Sequence, residues 1–248
     1  MKKLLLLFFL VPMFTMAQDA KQIVQKADQK MKGASSKSTM RIDIVRPTYT
    51  RQMEMITWTL GTDYSLVYIT TPKKDEGSTF LKRQKEIWNW IPNIERVIKL
   101  PPSMMSQNWM GTDFTNDDMV KQSSIVVDYT HKLVGKETIE GYECYKIELT
   151  PKPDAAVVWG KIYMWIDVKE SMQLKIEFYD EDDFLVNTML GKSPKEFDGK
   201  ILPSVMEMIP EDKPGNKTIM TTLDLKFDIT VSENFFSTRN MKSVSVTD

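Results

Sequence analysis

The sequence predicts a mainly β (α+β) domain in which a curved antiparallel sheet of about ten or eleven strands curls into a barrel or half-barrel. Three observations carry that expectation. The hydrophobic period falls from 3.6 to 2 after Lys37 and stays near 2 for most of the chain. Turn dipeptides punctuate the alternating runs, with Asp198-Gly199 the strongest hairpin signal and Glu140-Gly141 and Pro214-Gly215 weaker ones. One substantial helix is available as a cover, although several strands are apolar on both faces. A single sheet of this size curls, and the apolar surface left bare must line a cavity or meet a partner.

The elements follow in chain order. Residues 1–17, MKKLLLLFFLVPMFTMA, join a Lys2-Lys3 start to an apolar stretch from Leu4 to Phe14 and small residues at the cut. That is the pattern of a secretory signal peptide cleaved after Ala17, too short and wrongly flanked to span a bilayer. No Cys lies near the cut, so the expected product is a periplasmic protein without a lipid anchor, folded as one domain over residues 18–248. Asp19 can cap a helix whose stripe is Ile23, Val24, Ala27 and Met31, with Lys30 and Lys32 at its C-terminal dipole and Gly33 to end it.

Strands are expected from Met40/Ile42/Ile44, from 51–60, from YSLVYITT after the Gly61-Thr62-Asp63 turn, and at 78–84, 86–91 and 95–100. Later alternation marks Ile162/Met164/Ile166, Leu174/Ile176/Phe178 and the run from Ile219 to Ile229. Between them, short helices are expected at 103–110, after Pro101-Pro102, and at 115–121, where Thr115 and Asp118 form a capping box.

Composition narrows the function. Of 248 residues, 33 are Lys or Arg and 34 Asp or Glu, a formal charge of −1, so no cationic excess exists to replace counterions on nucleic acid. One His and one Cys cannot supply a four-ligand zinc site, and only His131 could serve a Ser/His/Asp triad. No phosphate loop or G-x-S-x-G occurs, and no cofactor or metal is expected. Asp180-Glu181-Asp182-Asp183 reads as solvated hairpin charge, His131 as a strand-edge residue, and Cys144 as a buried small hydrophobe.

Methionine is abundant, 18 in all, and it suits surfaces that accept apolar ligands of variable shape. Met104, Met105, Trp109 and Met110 crowd one segment; Trp58, Trp88, Trp90, Trp159 and Trp165 add aromatic area. In the central stretch, Pro92, Arg96, Val97, Leu100, Pro101 and Pro102 are followed by Ser106, Trp109, Met110, Gly111, Thr112, Asp113 and Phe114. This block resembles a branch of the LolA-like outer-membrane lipoprotein-sorting family. GKETIEGYECYKIELTPK, YMWIDVKESMQLKIEFYDED and FFSTRNMK extend the resemblance over the mature chain.

The resemblance implies that the curved sheet forms an incomplete barrel, a half-barrel covered by the N-terminal helix and short lid helices, around a hydrophobic cavity that holds the acyl chains of a lipoprotein or lipid. Candidate cavity or lid residues are Trp58, Trp88, Trp90, Met104, Met105, Trp109, Met110, Phe114, Trp165 and Phe178. Arg41, Arg46 and Arg51 are candidates by position for the family's lid arginine.

A two-chain lipid with roughly 30 methylenes costs on the order of 24 kcal/mol to bring into water, above the ceiling of non-covalent affinity. A carrier therefore needs direct hand-off. An inner-membrane transporter and an outer-membrane acceptor are the expected partners of a monomeric protein. Two rivals remain open here: an interaction or chaperone module using the same apolar concavity, and a lipid-active hydrolase using the carboxylates of 113–118.

Overall fold

A computed structural model describes residues 19–121 and 124–246, so the leader expected at 1–17 lies outside the described residues. Helix α1 (Ala20–Lys32) starts where the sequence places it. Asp19 Oδ1 accepts the Lys21 N–H at 3.0 Å, and Gly33, at φ 64°, donates its N–H to the Gln29 carbonyl at the other end. Ile23, Val24 and Ala27 form its buried stripe.

All the described strands belong to one antiparallel sheet, and only short 3-10 and π turns lie outside it and α1 among the described residues. In chain order the strands are β1 (Ser35–Arg46), β2 (Tyr49–Leu60), β3 (Tyr64–Thr71), β4 (Thr79–Arg83), β5 (Glu86–Ile91) and β6 (Arg96–Lys99). Then come β7 (Tyr129–Ile139), β8 (Tyr142–Pro151), β9 (Lys161–Asp167), β10 (Gln173–Tyr179), β11 (Leu185–Phe197), β12 (Lys200–Pro210) and β13 (Lys217–Phe227).

The described sheet has 13 strands, in the order β6-β5-β4-β3-β2-β1-β13-β12-β11-β10-β9-β8-β7. It is therefore two meanders joined at a single non-sequential seam, β1 against β13, with β6 and β7 as its edges. Thirteen exceeds the expected ten or eleven. β7 is exposed along most of its length, and β11 includes Asn187, Gly191, Ser193 and Pro194, so neither shows the alternation that marks a half-buried strand. All three hairpin dipeptides lie in turns between paired strands. Glu140-Gly141 and Asp198-Gly199 each have positive φ at both positions, as a two-residue type I′ turn requires.

The sheet is curved and unclosed, and the chain crosses its concave side twice. α1 lies over β7 and β9, packing Ile23, Val24 and Ala27 against Ile147, Leu149, Ile162 and Met164. The connection from β6 to β7 covers the other half. Gly191 assists the curl: a Cβ there would collide with the carbonyl oxygen of Gln173, beside a register shift in β10. On the convex side, residues 229–244 run back over β2–β5 as a strap.

Candidate functional site: a methionine-floored cavity

The β6–β7 connection departs from expectation over 103–110, which is not one helix. Two 3-10 turns, Pro102–Met104 and Trp109–Gly111, bracket it, and Met110 adopts φ 48°. The N–H groups a helix would use internally bond across the loop instead. Trp109 donates to the Phe114 carbonyl at 2.8 Å, Asn116 to Gln107 at 2.8 Å, and Asp117 to Met105 at 3.0 Å. The capping box is present: Thr115 N donates to Asp118 Oδ2 at 2.8 Å, and Asp118 N to Thr115 Oγ1 at 3.0 Å. The helix it opens, Asp117–Lys121, has π geometry.

This loop plugs half of the concavity. Trp109 is fully buried against Phe80, ring centroids 5.3 Å apart, among Ile42, Met53, Val67 and Met105. Two arginines pin it. Arg46 makes a two-pronged pair with Asp113 at 3.0 and 3.1 Å and donates to the Gly111 carbonyl at 2.9 Å. Thr218 Oγ1 adds a bond to Asp113 Oδ2 at 2.6 Å. Arg51 bonds the Met110 carbonyl at 3.3 Å and Asp75 at 3.0 Å. Of the three positional candidates for a lid arginine, Arg46 thus holds the loop most directly, whereas Arg41 pairs with Asp43.

Between the plug, α1 and β9–β13 remains a cavity of about 310 Å3. Its walls include eight methionines: Met31, Met40, Met119 and Met164, with Met189, Met206, Met208 and Met220 on β11–β13. Register explains the floor. Met206 faces Met220 across β12–β13, Met220 faces Ile42 across the seam, and Met189 faces Met208. Phe114, Trp159, Ile162, Ile176 and Phe178 close the inner end, with the Trp159 and Phe178 rings 5.0 Å apart. At the opposite end the lining turns polar, through Ser36, Ser38, Thr57, Thr59, Ser65 and Lys82, and reaches solvent at Gly61 and Thr62.

The expected site residues divide accordingly. Phe114 and Phe178 line the cavity. Trp109, Met104, Met105 and Met110 belong to the plug beside it. Trp58, Trp88 and Trp90 point to the convex face, under the strap. Trp165 is also on the outer face, in a cluster with Cys144 and Leu174. In the motif block, Pro101, Pro102 and Gly111 are exposed turn residues, Pro92 opens a 3-10 turn and Arg96 begins an edge strand. Thr112 is buried, its hydroxyl donating to the Trp109 carbonyl at 2.7 Å.

The sequence reading missed the methionines of β9–β13. Their signal was present in Met206 and Met208, two apart on a strand, and in the flexible side chain itself, which β-branched core strands avoid.

The buried carboxylates hold structure together. Asp113 serves Arg46 and Thr218, and Asp118 accepts bonds from Thr115 and from Trp159 Nε1 at 3.2 Å. Burial raises the Asp118 carboxyl above its ordinary range despite those bonds, with Asp117 adding a smaller push in the same direction. Asp180 Oδ1 accepts the N–H groups of Asp182 and Phe184, closing a turn. His131 sits half-buried on the edge strand β7, its Nε2 2.6 Å from the Ile125 carbonyl. Cys144 is fully buried and free, with its thiol pushed up to about 11 mainly by burial.

Comparison with known proteins now places the chain. Residues 61–243 match a family model described as "Uncharacterized protein". The chain belongs to that family. No curated protein matches it.

Among the solved structures that share its fold are three that span nearly the whole chain. A DUF1329 family protein from Desulfovibrio piger ATCC 29098 is 22% identical with a TM-score of 0.81, covering 90% of this chain and 97% of its own. A putative outer membrane lipoprotein-sorting protein domain from Vibrio parahaemolyticus is 23% identical at TM-score 0.78, covering 90% and 98%. A LolA superfamily protein from Nitrosomonas europaea is 23% identical at 0.78, covering 90% and 99%. The fold is that of the LolA superfamily, as the motif block leads one to expect. No described helix is long and apolar enough to cross a membrane.

Proposed function

We propose that this protein is a periplasmic carrier, exported by a signal peptide cleaved after Ala17, that shelters the acyl portion of a lipoprotein or lipid during transfer between membranes. The observation that carries the reading is the cavity of about 310 Å3 with its eight methionines, set between α1 and the concave face. Methionine has three rotatable bonds and a polarizable sulfur, so such a wall adapts to a chain of variable conformation where a β-branched wall could not. The fold shared with a lipoprotein-sorting domain and a LolA superfamily protein supports the same reading. An inner-membrane donor and an outer-membrane acceptor complete the proposal, with the carrier working as a monomer. Hand-off between cavity and membrane avoids the cost of exposing acyl chains to water.

The test is native mass spectrometry of protein recovered from the periplasm without detergent, followed by organic extraction. An added mass that resolves to an acyl lipid or acylated peptide is the expected result. An apo mass, together with failure of the apo protein to take up a fluorescent acyl probe, would overturn the proposal in favour of a protein-binding module.

A further inference from the structure

The two ends of the sheet differ. Neighbouring strands run antiparallel, so successive connections fall at opposite ends. One end is built from residues 47–49, 72–78, 92–95, 152–160, 180–184 and 211–216, with 124–128 leading into β7. The other is built from 61–63, 84–85, 140–141, 168–172 and 198–199, and the cavity reaches solvent there at Gly61 and Thr62.

Among the described residues, five large hydrophobic side chains are more than half exposed, and four of them stand at the first end. These are Phe184 at 69%, Val127 at 59%, Tyr49 at 58% and Ile94 at 55%, whereas at the second end the most exposed is Ile201 at 39%. Apolar side chains scattered singly over a surface are ordinary; their gathering on one end is not.

That end is braced into one rim. Lys152 Nζ donates to the Val127 carbonyl at 2.6 Å, and Gly160 packs against the Asp180 carbonyl. Glu211 N donates to the Val186 carbonyl at 2.9 Å, and Gly215 packs against Pro47. Arg51 pairs with Asp75 at 3.0 Å, and Asn93 Nδ2 donates to the Lys74 carbonyl at 3.2 Å. Phe184 is fixed as well, because its N–H and that of Asp182 bond Asp180 Oδ1. The apolar tips are thus held out in water by neighbours that leave them nothing to fold back upon.

Charge is as uneven as hydrophobicity. The seven segments of the rim hold four Lys against eleven Asp or Glu, but the five segments of the other end hold two against four. Adding Arg51, Arg96 and Lys161 from the adjoining strand ends leaves the rim acidic. The whole chain carries a formal charge of −1, so this acidic excess is local.

Apolar tips with acidic flanks select the occupant. A second copy would set like charge against like, and an anionic bilayer would repel the rim. A neutral bilayer would have to take carboxylates into its interface beside each tip, at a cost. A basic protein surface satisfies both features, with cations for the carboxylates and pockets for the side chains.

We propose that this rim is a docking surface for a partner protein that presents a basic face with apolar pockets for Phe184 and Tyr49. The rim lies at the opposite end from the mouth at Gly61 and Thr62, so docking leaves the mouth open. The assignment stands whether or not the cavity carries a lipid.

Photocrosslinking in cells that express the full chain tests it, with p-benzoylphenylalanine placed at Phe184, Tyr49 or Ile94, and at Tyr142 as the control at the other end. The expected result is one protein adduct of the same mass from all three rim positions and none from Tyr142. The partner recovered from that adduct should bind the purified mature protein about tenfold more weakly when salt is raised from low to high concentration. Phe184→Asp should weaken it by at least about tenfold. The double substitution Glu181→Gln and Asp182→Asn should remove much of the salt dependence. All these side chains are exposed, so the variants should melt as wild type does.

An adduct with lipid would make the rim a bilayer contact, and an adduct of twice the chain's mass would make it a self-association surface; either overturns the proposal. So would equal adducts from Tyr142, no adduct from any rim position, or binding indifferent to salt and to Phe184→Asp.

Discussion

On the convex face of β2–β5, the apolar side chains Trp58, Leu66 and Leu81 are roofed by a returning chain segment, whereas on β8–β10 Trp165 is roofed by lysine side chains. In the first region, Phe236 and Met241 of the strap are fully buried. Thr79 Oγ1 donates to the Met241 carbonyl and the Tyr64 hydroxyl to Glu233, both at 2.8 Å. In the second, Lys175 and Lys146 lie 4.6 and 4.9 Å from the Trp165 ring. Lys161 lies 4.9 Å from Tyr179. Glu137 accepts from Trp165 Nε1 at 2.7 Å and from Lys146 at 2.8 Å, and Glu148 accepts from the Tyr163 hydroxyl at 2.6 Å.

The difference teaches that long amphipathic side chains can be the whole cover of an apolar strand face, as at Trp165, or one part of it, as at Trp58, where Lys37 lies 5.2 Å from the ring beneath a strap. A lysine stem covers hydrocarbon while its ammonium stays wet. The two solutions also differ in what they stabilise. The strap contributes a hydrophobic core cluster, but cation–π contacts at a solvated surface contribute only about 0.5–1 kcal/mol each.

The comparison can be broken most severely by ending the chain after Asp228. That deletion bares the β2–β5 cluster and should abolish the cooperative thermal transition, read by calorimetry. A protein that still melts cooperatively near the wild-type temperature would show the strap to be decoration. Phe236→Ala is the milder version, expected to cost about 3–5 kcal/mol in urea unfolding.

The inner cover of the same half gives the next largest effect. Arg46 and Asp113 are 12% and 3% exposed, so Arg46→Leu strands a buried carboxylate and should cost about 3–5 kcal/mol. A loss below about 1 kcal/mol in denaturant titration would mean that Thr218 alone holds Asp113.

A third effect depends on pH. The folded state raises the Asp118 carboxyl, so it binds that proton more tightly than the unfolded chain does. Stability therefore falls as pH rises from the ordinary carboxylate range through the raised folded value. Wild type should accordingly lose ground to Asp118→Asn as pH rises out of the ordinary carboxylate range, measured as the difference in unfolding free energy. A difference that stays flat as pH rises would remove burial as the cause.

The smallest effects belong to the lysine roof. Lys146→Ala and Lys175→Ala should each cost under about 1 kcal/mol, a loss that shrinks in high salt. Costs as large as that of Phe236→Ala would erase the distinction between the two faces.

Much of this molecule was legible in the sequence because local chemistry specifies it. Asp19, the apolar stripe and Gly33 define α1 without reference to anything distant. Glu140-Gly141 and Asp198-Gly199 need only their own backbone angles to turn the chain, and Thr115 with Asp118 cap each other. The expectation of a cavity was legible too, because a curled sheet with two apolar faces and one long helix has more apolar surface than cover.

Which side chains face that cavity was decided by tertiary structure. Alternation assigns Trp58 and Thr57 to opposite faces of β2, yet both faces of that strand are largely apolar, and period alone does not say which becomes concave. Bulk favours Trp58 inside, but the strap from the far end of the chain claims it, and Thr57 lines the cavity. The loop at 103–110 follows the same logic. Its residues carry a helical spacing, but bonds from Trp109, Asn116 and Asp117 across the loop, and the Arg46–Asp113 pair, outweigh the helix they replace. The bonds that Asp113 makes to Arg46 and Thr218 join residues 67 and 105 positions apart, and no window of sequence spans those distances.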